Sequence, residues 1–237
     1  MKKAAFYTLG CKVNQYETEA MAELFADSGY EIKEFTEVAD VYVINTCSVT
    51  NMGDRKSRQI IRRAKKLNPN AVIAVTGCYA QTAPDEVLAI EGVNLVLGTK
   101  DRKNIVTLVE ELNTESNINH VSDIMSNHEF EELQIKQYSN RTRAFIKIQE
   151  GCNQFCSYCI IPYARGPVRS RAKDDVVREI KELAHNGFKE IILVGIHVAS
   201  YGVDLGDTTL ESLIMDVDKI DGVERIRLSS IEPMTLN

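Results

Sequence analysis

At 237 residues the chain has room for one large core or two modest ones, and 44% hydrophobic with 26% charged residues is the composition of an ordinary globular protein. A net charge of −6 argues against wholesale electrostatic capture of nucleic acid but leaves room for a local basic face. No stretch approaches the roughly 18 apolar residues of a membrane span. The best candidate, IILVGIHVA at 191–199, is strand-sized.

The opening MKKAAFYTLGC has the outline of a basic leader and an apolar run. That run is short, is interrupted by Tyr7 and Thr8, and sits at the edge of the roughly 7–15 residues a leader core needs. A buried first strand over 3–10 explains it better and sets the expected compartment as the reducing cytoplasm. A helix follows over 15–29, with Met21, Leu24 and Phe25 on one face and Gly29 as its stop. Then come a strand at 38–46, a helix at 51–69 striped by Ile60, Ile61, Ala64 and Leu67, and a strand at 71–77. A helix at 83–90 with Pro84 in its first turn, a strand at 93–99 and a helix at 103–113 close the first series. This alternation predicts a doubly wound parallel sheet covered on both faces, with the domain over 1–125.

Periodicity fades over 114–140, a polar stretch with room for one short strand, and 126–140 reads as a linker. A second βα series occupies 141–237: strand 143–150, a cysteine-rich loop, helix 173–187, strand 190–196, helix 210–220 and strand 225–231. Three such units are fewer than a closed barrel requires, so the second unit reads as the first part of a (β/α) barrel and the chain as a piece of something longer. An open barrel edge after residue 231 would favour self-association.

Six cysteines in such a chain point to metal or catalytic chemistry before disulfides. Cys11, Cys47 and Cys78, in YTLGC, INTC and VTGC, each follow a predicted strand of the first unit. Strand ends of a parallel sheet share one edge, and strands about 4.8 Å apart let three thiols converge there. Three unrelated core cysteines are the competing reading. Cys152, Cys156 and Cys159 lie in GCNQFCSYCIIPYARG, a CxxxCxxC run without histidine. Three soft thiolates in one loop suit a cubane iron–sulfur cluster with one iron left open; zinc or a redox dithiol is the alternative.

CxxxCx(aromatic)C, here with Tyr158, resembles the radical S-adenosylmethionine signature. Together with GCKVNQYE, NTCSVT and TGCYAQ it resembles the methylthiotransferases of that superfamily, which insert a sulfur and a methyl group into tRNA adenosine or a ribosomal protein. GIHVASYGVD at 195–204 and RLSSIEP at 227–233 look most like the branch acting on N6-threonylcarbamoyladenosine beside the tRNA anticodon. Sister branches act on isopentenyladenosine in tRNA or on a ribosomal-protein aspartate. A module that binds an iron–sulfur cluster or zinc without catalysis is the alternative from another class.

The resemblance implies a radical [4Fe–4S] cluster on Cys152, Cys156 and Cys159, a second [4Fe–4S] cluster on Cys11, Cys47 and Cys78, and S-adenosylmethionine as cosubstrate. It also implies an electron donor and a sulfur donor as partners, and no membrane. Tyr158, Gly195, His197, Ser229 and Ser230 map to its cofactor pocket, although His197, Ser229 and Ser230 alone would read as ordinary strand-end residues. No catalytic residue beyond the cluster ligands is assigned. Two basic features suit tRNA phosphates: Arg165, Arg169 and Arg171 after the loop, and residues 51–67, with seven Lys/Arg against one Asp. For the latter, Arg55, Arg58, Arg62 and Lys66 recur at helical spacing, and a solvated helix face is the competing reading.

Overall fold

The computed structural model describes residues 1–48, 51–133, 135 and 143–231. Its first half is a six-stranded, all-parallel sheet in the order β2-β1-β3-β4-β5-β6, built from β1 (Lys3–Thr8), β2 (Glu31–Lys33), β3 (Val41–Thr46), β4 (Val72–Gly77), β5 (Leu95–Leu97) and β6 (Ile118–His120). Every residue of VYVINT in β3 is buried, the mark of a central strand covered on both faces. One face packs under α2 (Asn51–Leu67), where Ile60, Ile61 and Ala64 meet Tyr42, Ile44, Ile73 and Val75. The other face packs under α1 (Lys12–Asp27) and α5 (Ile105–Glu110), where Met21, Phe25, Ile105 and Val109 meet Val41, Val43, Ala74 and Leu95. The doubly wound expectation is met.

The differences are local and have physical causes. β2 and β6 are three-residue edge strands, β6 exposed throughout, too short and polar to carry a period-2 signal. The helix expected at 83–90 is α4 (Pro84–Leu88), with Pro84 in its first turn, and a further short helix, α3 (Cys78–Thr82), precedes it. Part of the linker stretch is docked: Leu133 and Ile135 are buried against Tyr16 and Ala20 of α1.

In the second half, β7 (Arg143–Lys147), β10 (Glu190–Val194) and β11 (Arg225–Leu228) form a parallel sheet in the order β11-β10-β7. The helices α7 (Lys173–His185) and α8 (Leu210–Asp218) connect them and supply Val176, Ile180, Leu183, Leu213 and Val217 to its core. The strand expected over 143–150 breaks after Lys147, and β8 (Gln149–Glu150) turns away to pair antiparallel with β9 (Arg169–Ser170). Between them lie the cysteine loop and a short helix, α6 (Ile161–Arg165). Among the described residues β11 pairs on one side only, and no helix is long and apolar enough to cross a membrane.

Candidate functional site

The strands β1, β3 and β4 are neighbours, and each hands the chain to a cysteine at the same sheet edge. Cys11 is the extended residue that opens α1, Cys47 follows Thr46, and Cys78 is the first residue of α3. Among the described residues none of the six cysteines is in a disulfide. Gly10 and Gly77 make the first set possible. A Cβ on Gly10, at φ +109°, would lie 3.1 Å from the Cys47 sulfur, so the Cys11 and Cys47 loops approach only with glycine there. A Cβ on Gly77, at φ +97°, would come within 2.4 Å of the Thr46 carbonyl and of Asn45 Oδ1.

Buried polar side chains clamp this edge. Asn14 Nδ2 donates to the Leu9 and Thr46 carbonyls (2.7 and 3.0 Å), tying together the turns that carry Cys11 and Cys47. The Thr46 hydroxyl donates to the Thr76 carbonyl (2.6 Å), and the Thr76 hydroxyl to that of Gly98 (2.7 Å). The Cys11 thiol reaches Asn14 Oδ1 at 3.6 Å. Burial pushes the Cys78 thiol pKa up; the Arg165 guanidinium, whose Nε donates to Cys78 Sγ at 3.3 Å, opposes that shift.

The second set is held differently. Gly151 at φ +75° sits so close to the chain returning from α6 that a Cβ would lie 1.8 Å from the Pro167 carbonyl oxygen. Cys152 N–H donates to the Gly166 carbonyl (3.1 Å), Cys159 N–H to the Cys156 carbonyl (2.9 Å), and Val168 N–H to Asn153 Oδ1 (3.0 Å). The loop is thus closed at its base and open at its tip, where Cys156 is exposed. Phe155 takes φ +45°, a strained value for a residue with a side chain, and its ring meets Tyr163 edge-on at 6.0 Å.

Among the described residues no three His, Cys, Asp or Glu side chains gather as they would around one metal ion. A cubane distributes its thiolates over separate corners, whereas a single ion gathers them on one atom. With thiols the only donors in each set, the residues present fit an iron–sulfur cluster better than zinc.

Between the sets lies an ionic core absent from the sequence reading. Arg165 Nη1 donates to Glu17 and Glu150 (2.5 and 2.6 Å), and its Nη2 donates to Asn14 Oδ1 (2.5 Å). Lys147 Nζ lies 2.9 Å from Glu17 and 2.6 Å from Glu150, and Arg102 pairs with Glu17 at 2.6 Å and Glu131 at 2.8 Å. The two central carboxylates are buried. Burial alone would raise the Glu17 pKa, but Arg102, Arg165 and Lys147 outweigh it and bring the carboxyl down to about 2. Glu150 is likewise held well below the usual carboxylate range: burial opposes ionisation, and Lys147, Arg102 and Arg165 overcome it. One sequence signal pointed here. Glu17 lies four and eight residues before Met21 and Phe25 on the buried stripe of α1, where a carboxylate requires a buried countercharge.

This core corrects the RNA-contact expectation for Arg165, Arg169 and Arg171. All three are at most 1% exposed. Arg165 is bound as described, and Arg169 donates to the Arg165 carbonyl (2.9 Å). Arg171 pairs with Glu132 (3.0 Å) and Glu179, so none faces solvent to meet a phosphate.

The cofactor-pocket candidates divide. A cavity of about 380 Å³ is lined by Gly10, Cys11, Lys12, Val13, Gly195, Ser229 and Ser230, bringing three of the five against the first cysteine set. His197 is buried and does not line it: its N–H donates to Gln149 Oε1 (2.8 Å), its Nδ1 meets the Ser200 hydroxyl, and among the described residues its Nε2 has no hydrogen-bond partner. Gln149 Nε2 in turn donates to the Glu150 and Gly151 carbonyls, joining the His197 turn to the base of the cysteine loop. Tyr158 is 91% exposed and does not line the cavity.

Residues 3–98 match the family described as Uncharacterized protein family UPF0004, and residues 146–236 match the Radical SAM superfamily. The chain is 53% identical over 98% of its length to a protein of Bacillus subtilis (strain 168) named threonylcarbamoyladenosine tRNA methylthiotransferase MtaB, covering 52% of that protein. It is 44% identical over 97% of its length to the protein of the same name from Aquifex aeolicus (strain VF5), covering 56% of it. A Sulfurihydrogenibium protein named tRNA-2-methylthio-N(6)-dimethylallyladenosine synthase is 37% identical over 97% of this chain and 54% of its own length. The chain therefore spans about half the length of the curated relatives it matches. Among solved structures, the radical S-adenosylmethionine methyltransferase TsrM of Kitasatospora setae, with cobalamin and a [4Fe-4S] cluster bound, shares the fold at TM-score 0.58 and 15% identity, over 91% of this chain and 52% of that one. With both domain types in order, the chain is similar along nearly its whole length to proteins named as tRNA methylthiotransferases, and its second half matches the Radical SAM superfamily.

Proposed function

We propose that the protein modifies tRNA, placing a methylthio group on C2 of N6-threonylcarbamoyladenosine at position 37. The observation that carries this reading is the 53% identity to the B. subtilis protein of that name. The site supports it through two separate three-thiol sets with a cavity between Cys11 and Gly195, Ser229 and Ser230.

In this reading Cys152, Cys156 and Cys159 hold one [4Fe–4S] cluster, and Cys11, Cys47 and Cys78 hold a second. Held by these thiols, the two clusters would supply one-electron reduction of S-adenosylmethionine and the sulfur for transfer. The chain's own work is placement. Three adjacent strand ends and Asn14 fix the first thiol set, while Gly151 and the Gly166 carbonyl close the loop of the second. Gly195, Ser229 and Ser230 would form the side of the S-adenosylmethionine site that faces Cys11. Arg165 holds positive charge against the Cys78 sulfur and favours its thiolate. The reaction also requires a one-electron donor and a sulfur donor, and a tRNA-modifying enzyme of this kind belongs in the cytoplasm.

Mass analysis of tRNA nucleosides from cells with and without the gene tests the reading. Loss of the methylthio group from threonylcarbamoyladenosine alone supports it. The relatives named for dimethylallyladenosine favour a second reading weakly; loss of the group from that nucleoside instead would establish it. Unchanged tRNA would overturn both.

A further inference from the structure

We propose that the outer face of α2 is a track for an RNA backbone that ends at Cys47. The identity of the partner rests on the tRNA-modifying reading above; the place rests on α2 itself. Arg55, Gln59, Arg62 and Lys66 are spaced i, i+4, i+7 and i+11, so they form one stripe, and all are exposed on the side opposite buried Ile60, Ile61 and Ala64.

Other cations of this helix have structural work. Arg58 donates to the Tyr79 hydroxyl (2.8 Å), Lys65 to the Pro69 carbonyl (2.7 Å), and Arg63 lies over the Phe35 ring at 6.0 Å. Arg55, Lys56, Arg62 and Lys66 make no ion pair among the described residues. Six surface cations elsewhere, Lys33, Lys173, Lys189, Lys219, Arg225 and Arg227, each have a carboxylate within 4 Å, and the unpaired ones, such as Lys12, Lys103 and Lys181, lie singly rather than in a stripe. In a chain with 34 acidic against 28 basic residues, an unpaired basic stripe is a surface kept for an anion from outside.

The surroundings give the stripe a direction. A groove of about 610 Å³ runs along Arg55, Arg58, Gln59, Arg62 and Lys66. It shares Arg55 and Gln59 with a second groove of about 490 Å³, whose far wall is Leu9, Gly10 and Cys47. Adjoining at Arg55 and Gln59, the two grooves would give a backbone one channel from the basic face to the sheet edge that carries the first thiol set. From Arg55 to Lys66 the helix rises roughly 16 Å, enough for several consecutive phosphates. At the Cys47 mouth Met52 is 74% exposed, an apolar thioether suited to the face of a base and of no use to a purely acidic chain. RNA satisfies both ends of the channel; an acidic polypeptide satisfies only one.

The test titrates a fluorescein-labelled tRNA anticodon stem-loop with the full chain and with its Arg55→Ala/Arg62→Ala/Lys66→Ala variant over a range of salt. Three lost phosphate contacts should lower the slope of log affinity against log salt by about 2 and weaken binding about 100-fold at 0.1 M salt. The Arg55→Lys/Arg62→Lys variant should keep the parental slope, and the thermal melt of the alanine variant should match the parent. A variant with parental melt, affinity and slope overturns the track and leaves the tRNA reading standing. Polyglutamate displacing the RNA charge for charge overturns the assignment to RNA. A parent chain that binds no stem-loop even at low salt overturns the track and weakens the tRNA reading with it.

Discussion

The two cysteine sets use the same three donors and reach them by opposite routes. Cys152, Cys156 and Cys159 lie within eight residues, and their placement depends on one loop closed at its base by Gly151 and the Gly166 carbonyl. Cys11, Cys47 and Cys78 span 68 residues and are assembled by the order β1-β3-β4, so their placement depends on the whole sheet. A local motif can be damaged alone; a topological one is as stable as its fold. Exposure follows the same division. Cys156 lies at an open tip, whereas Cys78 is buried with a guanidinium at its sulfur.

The largest test of this contrast is chemical. With both sets loaded, reconstitution should give about eight irons per chain, and Cys156→Ser or Cys47→Ser should each remove about four. Cys156→Ser should also abolish 5′-deoxyadenosine formation, whereas Cys47→Ser should leave it and abolish methylthio transfer. Identical phenotypes would erase the division of labour.

Next in size is the ionic core. Arg165→Ala leaves Glu17 and Glu150 short of a countercharge and should cost about 3–5 kcal/mol, read as a denaturation midpoint, with Arg165→Lys recovering part of it. The same core predicts acid sensitivity. The folded Glu17 carboxyl sits at about 2, below its ordinary 4.5, so its contribution is complete above pH 4.5 and is lost as pH falls towards 2. Over that window it amounts to about 3 kcal/mol, and Glu17→Gln should flatten the pH dependence of stability there. Asn14→Ala should cost less, about 1–3 kcal/mol, by leaving the Leu9 and Thr46 carbonyls without a donor, and should loosen the first set but not the second. Smallest of all, Tyr158→Ala should move stability by no more than about 0.5 kcal/mol, since the ring is solvated. If Tyr158 serves the cofactor, that variant should still weaken S-adenosylmethionine binding, as measured by calorimetry.

What the sequence disclosed follows the same division. The central strands, the helix stripes and both cysteine sets were legible, because each is written in a local period or at a strand end. The role of Arg165 was not. A basic residue after a cluster loop reads as a surface cation, and its partners Glu17 and Glu150 lie 148 and 15 residues away. β2 escaped because a three-residue edge carries no period, and α3 because five residues directly after a strand are too few for a helical stripe.

Arg165 carries one more consequence, for exchange of parts between relatives. It belongs to the chain segment of the radical loop, yet it touches Cys78, Asn14 and Glu17 of the other half. A chimera joining the first half of one family member to the second half of another must therefore inherit Arg165, Lys147 and Glu150 on one side and Glu17, Asn14 and Arg102 on the other as a matched set. Where one donor sequence lacks a member of that set, the hybrid would be left with uncompensated charge at its seam, however well each half folds with its native partner.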